Sequence, residues 1–193
     1  EQHPQAEILR ALITLVLFAG VFASTRTPWV LRTALFLAIA ASGTGWAADI
    51  MDSQSIALTS YVLALLNILF VIGVVSRVVL RRRQITTDAV FGGLSVFLLI
   101  GLAFMILYGL VEFAQPGSFI VRGEPMDAGQ TLTRDPSSFV QFLYFSLITL
   151  STVGYGDILA TRPLAQMLAA TEGIIGQLFL AVVVARLVGM NLL

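Results

Sequence analysis

Hydrophobic residues in this chain run in long blocks separated by short polar breaks, and they do not alternate with polar ones. A helix crossing about 30 Å of hydrocarbon needs roughly 20 apolar residues. Blocks of that order occupy Glu7–Ala23, Trp29–Ala48, Ile56–Leu80, Asp88–Phe113 and Pro163–Leu193. The first is short and carries Arg10 near its start, so it makes the weakest case for crossing. Each of the others predicts a transmembrane helix. A different kind of apolar segment lies between the last two. Asp135 suits an N-cap, Pro136 suits the first helical position, and Ser138–Thr149 continues as a helix. About 14 residues at 1.5 Å each reach only some 20 Å, so this helix enters the membrane and stops. Ser151–Asp157 follows it, and Ile158–Arg162 leads back to the last block. The pattern predicts a re-entrant helix and loop.

Composition agrees with lipid as the main solvent. Apolar residues make up 58% of the chain and charged residues 11%, less than half of the roughly 25% in a soluble domain. Net charge is zero, and every basic residue is Arg. No basic stripe tracks a phosphate backbone, so the pattern argues against nucleic-acid binding. Cysteine is absent and the one histidine, His3, stands near the first residue. That removes disulfides, thiolate metal sites and most acid–base chemistry. Little is left from which to build an enzyme.

Arginine placement sets the expected orientation. Arg77, Arg81, Arg82 and Arg83 cluster between the third and fourth blocks, and Arg26 and Arg32 flank the first turn. If every block crosses, both loops fall on one side, and the positive-inside rule makes it cytoplasmic. The loop around Asp49 and Asp52 is then external, and so is the long loop from Ala114 to Ser137. Five crossings result, with the first residue outside. The chain opens on Glu1 and not on Met, and the odd count leads us to expect a further helix upstream; the other reading lays the first block in the interface. The arginines lack the every-third-residue repeat of a voltage sensor. They set topology and suit contact with anionic lipid at Arg81, Arg82 and Arg83. The long loop contains Pro116, Gly117, Gly123, Pro125 and Gly129 without regular periodicity, and reads as a solvated turret. Its Glu124, Asp127 and Asp135 slightly outweigh Arg122 and Arg134.

Non-helical backbone at membrane depth survives only where protein buries it or it lines a watery path. In Thr152-Val153-Gly154-Tyr155-Gly156, the glycines occupy alternate positions. A backbone that aims successive carbonyls at one axis must alternate between right- and left-handed conformations, and glycine adopts the left-handed one without penalty. Val153 and Tyr155 are then expected to point away from the axis and wedge the loop against the short helix.

Thr-Val-Gly-Tyr-Gly-Asp at 152–157, behind a short apolar helix and ahead of a long one, resembles the selectivity filter of tetrameric potassium channels. The similarity runs from about Asp88 to Leu193. It implies an all-α, polytopic membrane protein of pore-loop tetrameric cation-channel architecture. Residues 1–84 would hold about three N-terminal transmembrane helices. Residues 85–193 would form the pore domain: outer helix about 88–113, pore helix about 136–149, filter 152–156 and inner helix about 163–193. Three identical subunits would complete the pore, since one chain supplies one loop. The resemblance implies that Thr152, Val153, Gly154 and Tyr155, with Gly156, replace the hydration shell of K+, the permeant ion, with no organic cofactor. Asp157 would support the filter from its mouth. The protein would then conduct K+ passively across the cell membrane. A weakly selective cation channel is the near alternative, and the membrane subunit of a potassium uptake transporter a further one. Such transporters usually carry four filter-like repeats in one chain.

Some positions depart from the family pattern. Tyr144 and Phe145 stand where many members have tryptophans, and Phe145 cannot donate a hydrogen bond to the Tyr155 hydroxyl. Ile148 replaces a glutamate that pairs with the filter aspartate in some bacterial members. In the last block, Gly173, Gly176 and Gly189 weaken the helix. The resemblance places Gly176 at a gating hinge, while small residues in membranes equally serve close packing. Helical spacing from Gly173 puts Gln177, Leu180, Val184, Val188 and Leu192 on one face, expected to line the cavity. Glu172, an acid within a span, is expensive there. It reads as a proton sensor or cavity acid, or as a hydrogen-bonded carboxyl behind the short helix.

Overall fold

The computed structural model describes residues 28–51, 53–81, 87–126 and 136–190. In chain order they form α1 (Pro28–Met51), α2 (Gln54–Arg81), α3 (Thr87–Ala114), β1 (Phe119–Val121), β2 (Glu124–Pro125), α4 (Pro136–Leu150), β3 (Ile158–Ala160) and α5 (Pro163–Met190). Among the described residues, α1, α2, α3 and α5 are long and apolar enough to cross a membrane, and α4 is a shorter apolar helix. The fold is mostly helical, as the blocks predict. The block Glu7–Ala23, Arg82, Arg83, Asp127, Arg134, Asp135 and Leu192 lie outside the described residues, as do the side chains of Arg81, Val184 and Val188.

Local chemistry sets several boundaries. Pro28, Pro136 and Pro163 each open a helix, where a missing N–H costs nothing and the fixed φ suits the first turn. Inside the spans, hydroxyls that would otherwise face hydrocarbon return to their own helix. Thr44 donates to the Ala40 carbonyl at 2.7 Å, Thr59 to Ser55 at 2.9 Å and Ser95 to Phe91 at 2.8 Å.

α1 and α2 meet through small residues. Ala34, Ala38, Ala41 and Ala48 are buried on α1, facing Ala57, Ser60 and Ala64 on α2. Where lipid is as apolar as leucine, close backbone approach and dispersion hold helices together. α2 packs on α3, and α3 in turn packs on α4 and α5. The largest fully buried side chains include an aromatic group behind α4, where Tyr108 meets Phe119, Phe142 and Phe145 with ring centroids 5.3, 6.5 and 5.1 Å away. The pairs with Phe119 and Phe145 are edge-to-face, and such pairs add roughly 0.5–1.5 kcal/mol each beyond area burial.

The turret expectation needs correction. The segment read as irregular contains β1 and β2, and the return path after the loop contains β3, in an antiparallel sheet of order β2-β1-β3. Ile120 pairs with Pro125 on one side and with Leu159 on the other. A two-residue turn joins β1 to β2, with φ of 50° at Arg122 and 92° at Gly123. Two positive φ values in a row match the twist of paired strands. Phe119 anchors the sheet: fully buried, it stacks edge-on to Phe142 at 5.2 Å.

Candidate functional site

The site is built where α4 ends. α4 has 15 residues, so its axis covers about 22 Å, too short to cross about 30 Å of hydrocarbon. The chain then turns sharply: Ser151 N–H donates to the Leu147 carbonyl, Thr152 N–H to Thr149 at 2.9 Å, and Val153 N–H to Ile148 at 2.8 Å. Gly154 N–H reaches the same Ile148 carbonyl at 3.2 Å. These bonds satisfy carbonyls that a helix end leaves free and tie the loop to its helix.

Beyond the turn the backbone alternates in hand. Thr152, Gly154 and Gly156 have φ of 58°, 53° and 78°, while Val153 and Tyr155 between them are not left-handed. Glycine explains two of the three. Thr152 adopts the same conformation despite its Cβ, a position at which sequence reasoning expected no left-handed residue. Its cost is of order 1–2 kcal/mol, and its hydroxyl accepts a hydrogen bond from Gln177 Nε2 at 2.9 Å.

The wedge expected of Val153 and Tyr155 is absent from the single chain. Val153 is 51% exposed and Tyr155 72%, so their side chains are not buried against α4 of the same chain. Phe145 does not face Tyr155 either; it is buried between Tyr108 and Phe119.

Asp157 is braced on two sides. The Tyr144 hydroxyl donates to its carboxylate, and its backbone carbonyl accepts from Arg122 N–H at 2.9 Å. Its Oδ1 is buried without a partner among the described residues. Ile148, whose side chain offers no hydrogen bond, is buried. Further staples hold the return segment after the loop. Thr161 N–H donates to the Ser118 carbonyl at 2.8 Å, and Arg162 Nη2 donates to Pro116 at 3.1 Å.

α5 passes the foot of the loop. A Cβ on Gly176 would drive into the Leu150 carbonyl, and one on Gly173 would stand 3.8 Å from the Thr149 oxygen. α5 runs without a break through both glycines. Gln177 and Leu180 are exposed, with Gln177 turned to Thr152. Glu172 has no exposed surface and bonds to Tyr108 and Ser146, which sets it behind α4 among its neighbours.

A family model described as "Ion channel" matches residues 94–191, a little over half of the chain. The chain belongs to this ion-channel family. It is therefore a multi-pass membrane channel and not an enzyme. Over 87 residues, 45% of the chain, the channel is 36% identical to the potassium voltage-gated channel protein shk-1 of Caenorhabditis elegans. It covers 15% of that relative's length. No solved structure matches it.

Several working residues of the channel were not singled out from sequence. Glu112, fully buried at the end of α3, accepts from Gly117 N–H at 2.7 Å and Phe119 N–H at 3.0 Å. An acid closing an apolar span just before Pro116-Gly117 was the available signal. Tyr108, Ser146 and Gly101 gave none, since only the packing of three helices brings them together.

Proposed function

We propose that the channel is a potassium-selective pore made of four identical chains, conducting K+ passively across the cell membrane. The observation that carries this reading is the alternation of backbone hand at Thr152, Gly154 and Gly156. Alternating hands turn successive carbonyls the same way, which suits a column of oxygens standing in for ion hydration. In this reading the carbonyls of Thr152, Val153, Gly154 and Tyr155, the Thr152 hydroxyl and Gly156 form the filter. Asp157, held by Tyr144 and Arg122, keeps the external mouth in register.

The exposure of Val153 and Tyr155 favours a partner that covers them, and further copies of the chain meet that need around a single-loop axis. The carboxyl-terminal end of α4 supplies partial negative charge toward the cavity. Gln177, Leu180 and Val184 are assigned to the cavity face. Gly176 serves as the contact that lets the Leu150 carbonyl approach α5, in place of a hinge. Residues 85–193 form the pore unit, and residues 1–84 a membrane scaffold around it. The potassium channel named above shares part of this sequence, which favours K+ over a weakly selective cation pore.

The test is the reversal potential of purified channel in planar bilayers, with K+ on one side and Na+ on the other. A value near the K+ equilibrium potential with Ba2+ block is expected. A value near zero with clear current would overturn potassium selectivity.

A further inference from the structure

A carboxyl group in a dry interior needs partners for both oxygens, and an ionised one needs a cation or several donors. Glu172 meets two hydroxyls: Oε1 faces Ser146 Oγ on α4, and Oε2 faces Tyr108 Oη on α3. All three residues have no exposed surface. Ser146 Oγ has a further neighbour, the Gly101 carbonyl on α3 at 2.8 Å. The glycine permits that approach, because a Cβ there would stand 3.4 Å from Ser146 Oγ and 3.2 Å from Leu147 Cδ2.

Counting protons decides the state of the group. Three oxygen–oxygen contacts each need one proton: Tyr108 to Glu172, Ser146 to Glu172, and Ser146 to Gly101. Tyr108 and Ser146 bring one proton each, and the Gly101 carbonyl brings none. With Glu172 ionised, one contact is left as two facing lone pairs. With a proton on Oε1, the acid donates to Ser146, Ser146 donates to Gly101, and Tyr108 donates to Oε2. Every contact is then filled.

The surroundings supply no charge for an ionised partner. α4 contains no charged residue, α3 carries only Asp88 and Glu112, and α5 only Glu172 and Arg186. Arg186 lies about 21 Å further along the α5 axis. Both Glu112 oxygens are taken by backbone N–H groups, and Arg162 bonds to Pro116.

We propose that Glu172 is a positioning residue carried in its neutral acid form, whose proton completes a Glu172–Ser146–Gly101 chain that pins α5 and α4 to α3. The latch acts on the filter through α4. Ser146 stands just before Ile148, whose carbonyl receives Val153 and Gly154 N–H. One turn along α5 from Glu172 lie Gly176, against Leu150, and Gln177, bonded to Thr152. Glu172 itself touches no ion site. Releasing it frees the inner helix and the foot of the filter together.

The experiment uses the full assembled channel. E172Q keeps one donor and one acceptor in the same outline. It is expected to hold the conducting lifetime within about twofold of the parent, because a neutral pair replaces a neutral pair. E172A and S146A break the chain and are expected to shorten that lifetime about tenfold. Infrared spectra at neutral pH are expected to show the C=O stretch of a protonated carboxylic acid that E172Q removes. E172Q as damaging as E172A, an unchanged E172A channel, or a missing acid band would each overturn the latch. If E172A fails to assemble, E172Q and the acid band still decide. The inference rests on the pore reading above, yet the two fail separately: unselective parent current removes selectivity and leaves the band, while a missing band removes the latch alone.

Discussion

The two halves of this channel solve the membrane problem differently. α1 and α2 meet mainly through alanines: the buried Ser60 hydroxyl donates to its own helix at Ala57, while Ser42 Oγ and both amide atoms of Asn67 lack partners among the described residues. In the α3–α4–α5 half, buried Ser146, Tyr108, Glu112 and Glu172 all have hydrogen bonds, and the Ser118 hydroxyl donates to Gln115 at 2.6 Å. Shape alone suffices for a pair of helices that needs only to stay packed. Holding a loop with three left-handed residues demands directional bonds, since dispersion does not specify where an oxygen points.

The sharpest break in that contrast comes at the loop. G154A adds a methyl group where nothing lies within 4 Å in the single chain, at a φ of +53°. Strain must therefore arise in the backbone, at about 1–2 kcal/mol per chain before the carbonyls are redirected. We expect K+ current to fall to background while the assembled channel persists on size-exclusion chromatography. Normal conduction would remove the filter assignment. E112A comes next. It leaves the Gly117 and Phe119 N–H groups without acceptors, so a loss of about 2–3 kcal/mol in stability is expected. Thermal unfolding in detergent measures it, and an unchanged midpoint would mean water replaces the carboxylate.

What could be read from sequence divides along the same line. The four long helices and the short one between them follow from apolar block length, and the left-handed positions at Gly154 and Gly156 from glycine spacing, both properties of neighbours in the chain. The bracing was illegible because its partners are far apart. Tyr108 and Glu172 stand 64 positions apart, Ser146 and Glu172 26, and no local pattern pairs them. The sheet fell between. Its turn at Arg122-Gly123 joins two short extended runs, but arginine is an unusual first residue for such a turn, and strands of two or three residues give too little alternation to see. Phe145 was legible only in part. That it makes no hydrogen bond to Tyr155 followed from its side chain, whereas its place in the aromatic core beside Tyr108 and Phe119 did not.

Smaller effects sharpen the comparison within the braced half. Y144F keeps the ring and removes the hydroxyl from Asp157, leaving a carboxylate oxygen unpaired. We expect sustained K+ current to decay about fivefold faster, in keeping with the loss of one hydrogen bond to a charged group. An unchanged decay would assign the brace to the sheet and Arg122 alone. Q177L frees the Thr152 hydroxyl at the foot of the proposed filter. A two- to fivefold change in Ba2+ block is expected, roughly what a neutral hydrogen bond supplies. Block identical to the parent would show that Thr152 holds its conformation without help from α5.

The least effect is expected in the other half, and its sign is informative. Asn67 is fully buried on α2 beside Ile68 and near Ala64 and Val71, with neither amide atom bonded among the described residues. Leucine has nearly the same volume and carries no unmet hydrogen bonds. Replacing an unpaired buried amide with an apolar isostere is neutral or stabilising, here by about 1 kcal/mol. N67L should thus raise the unfolding midpoint slightly and leave conduction unchanged. Higher stability with normal current would mean that α1 and α2 act as scaffold, held by shape. Lost current in a well-folded N67L channel would mean the opposite: the unpaired amide awaits a partner that forms in another state of the channel, and the N-terminal helices belong to the gate.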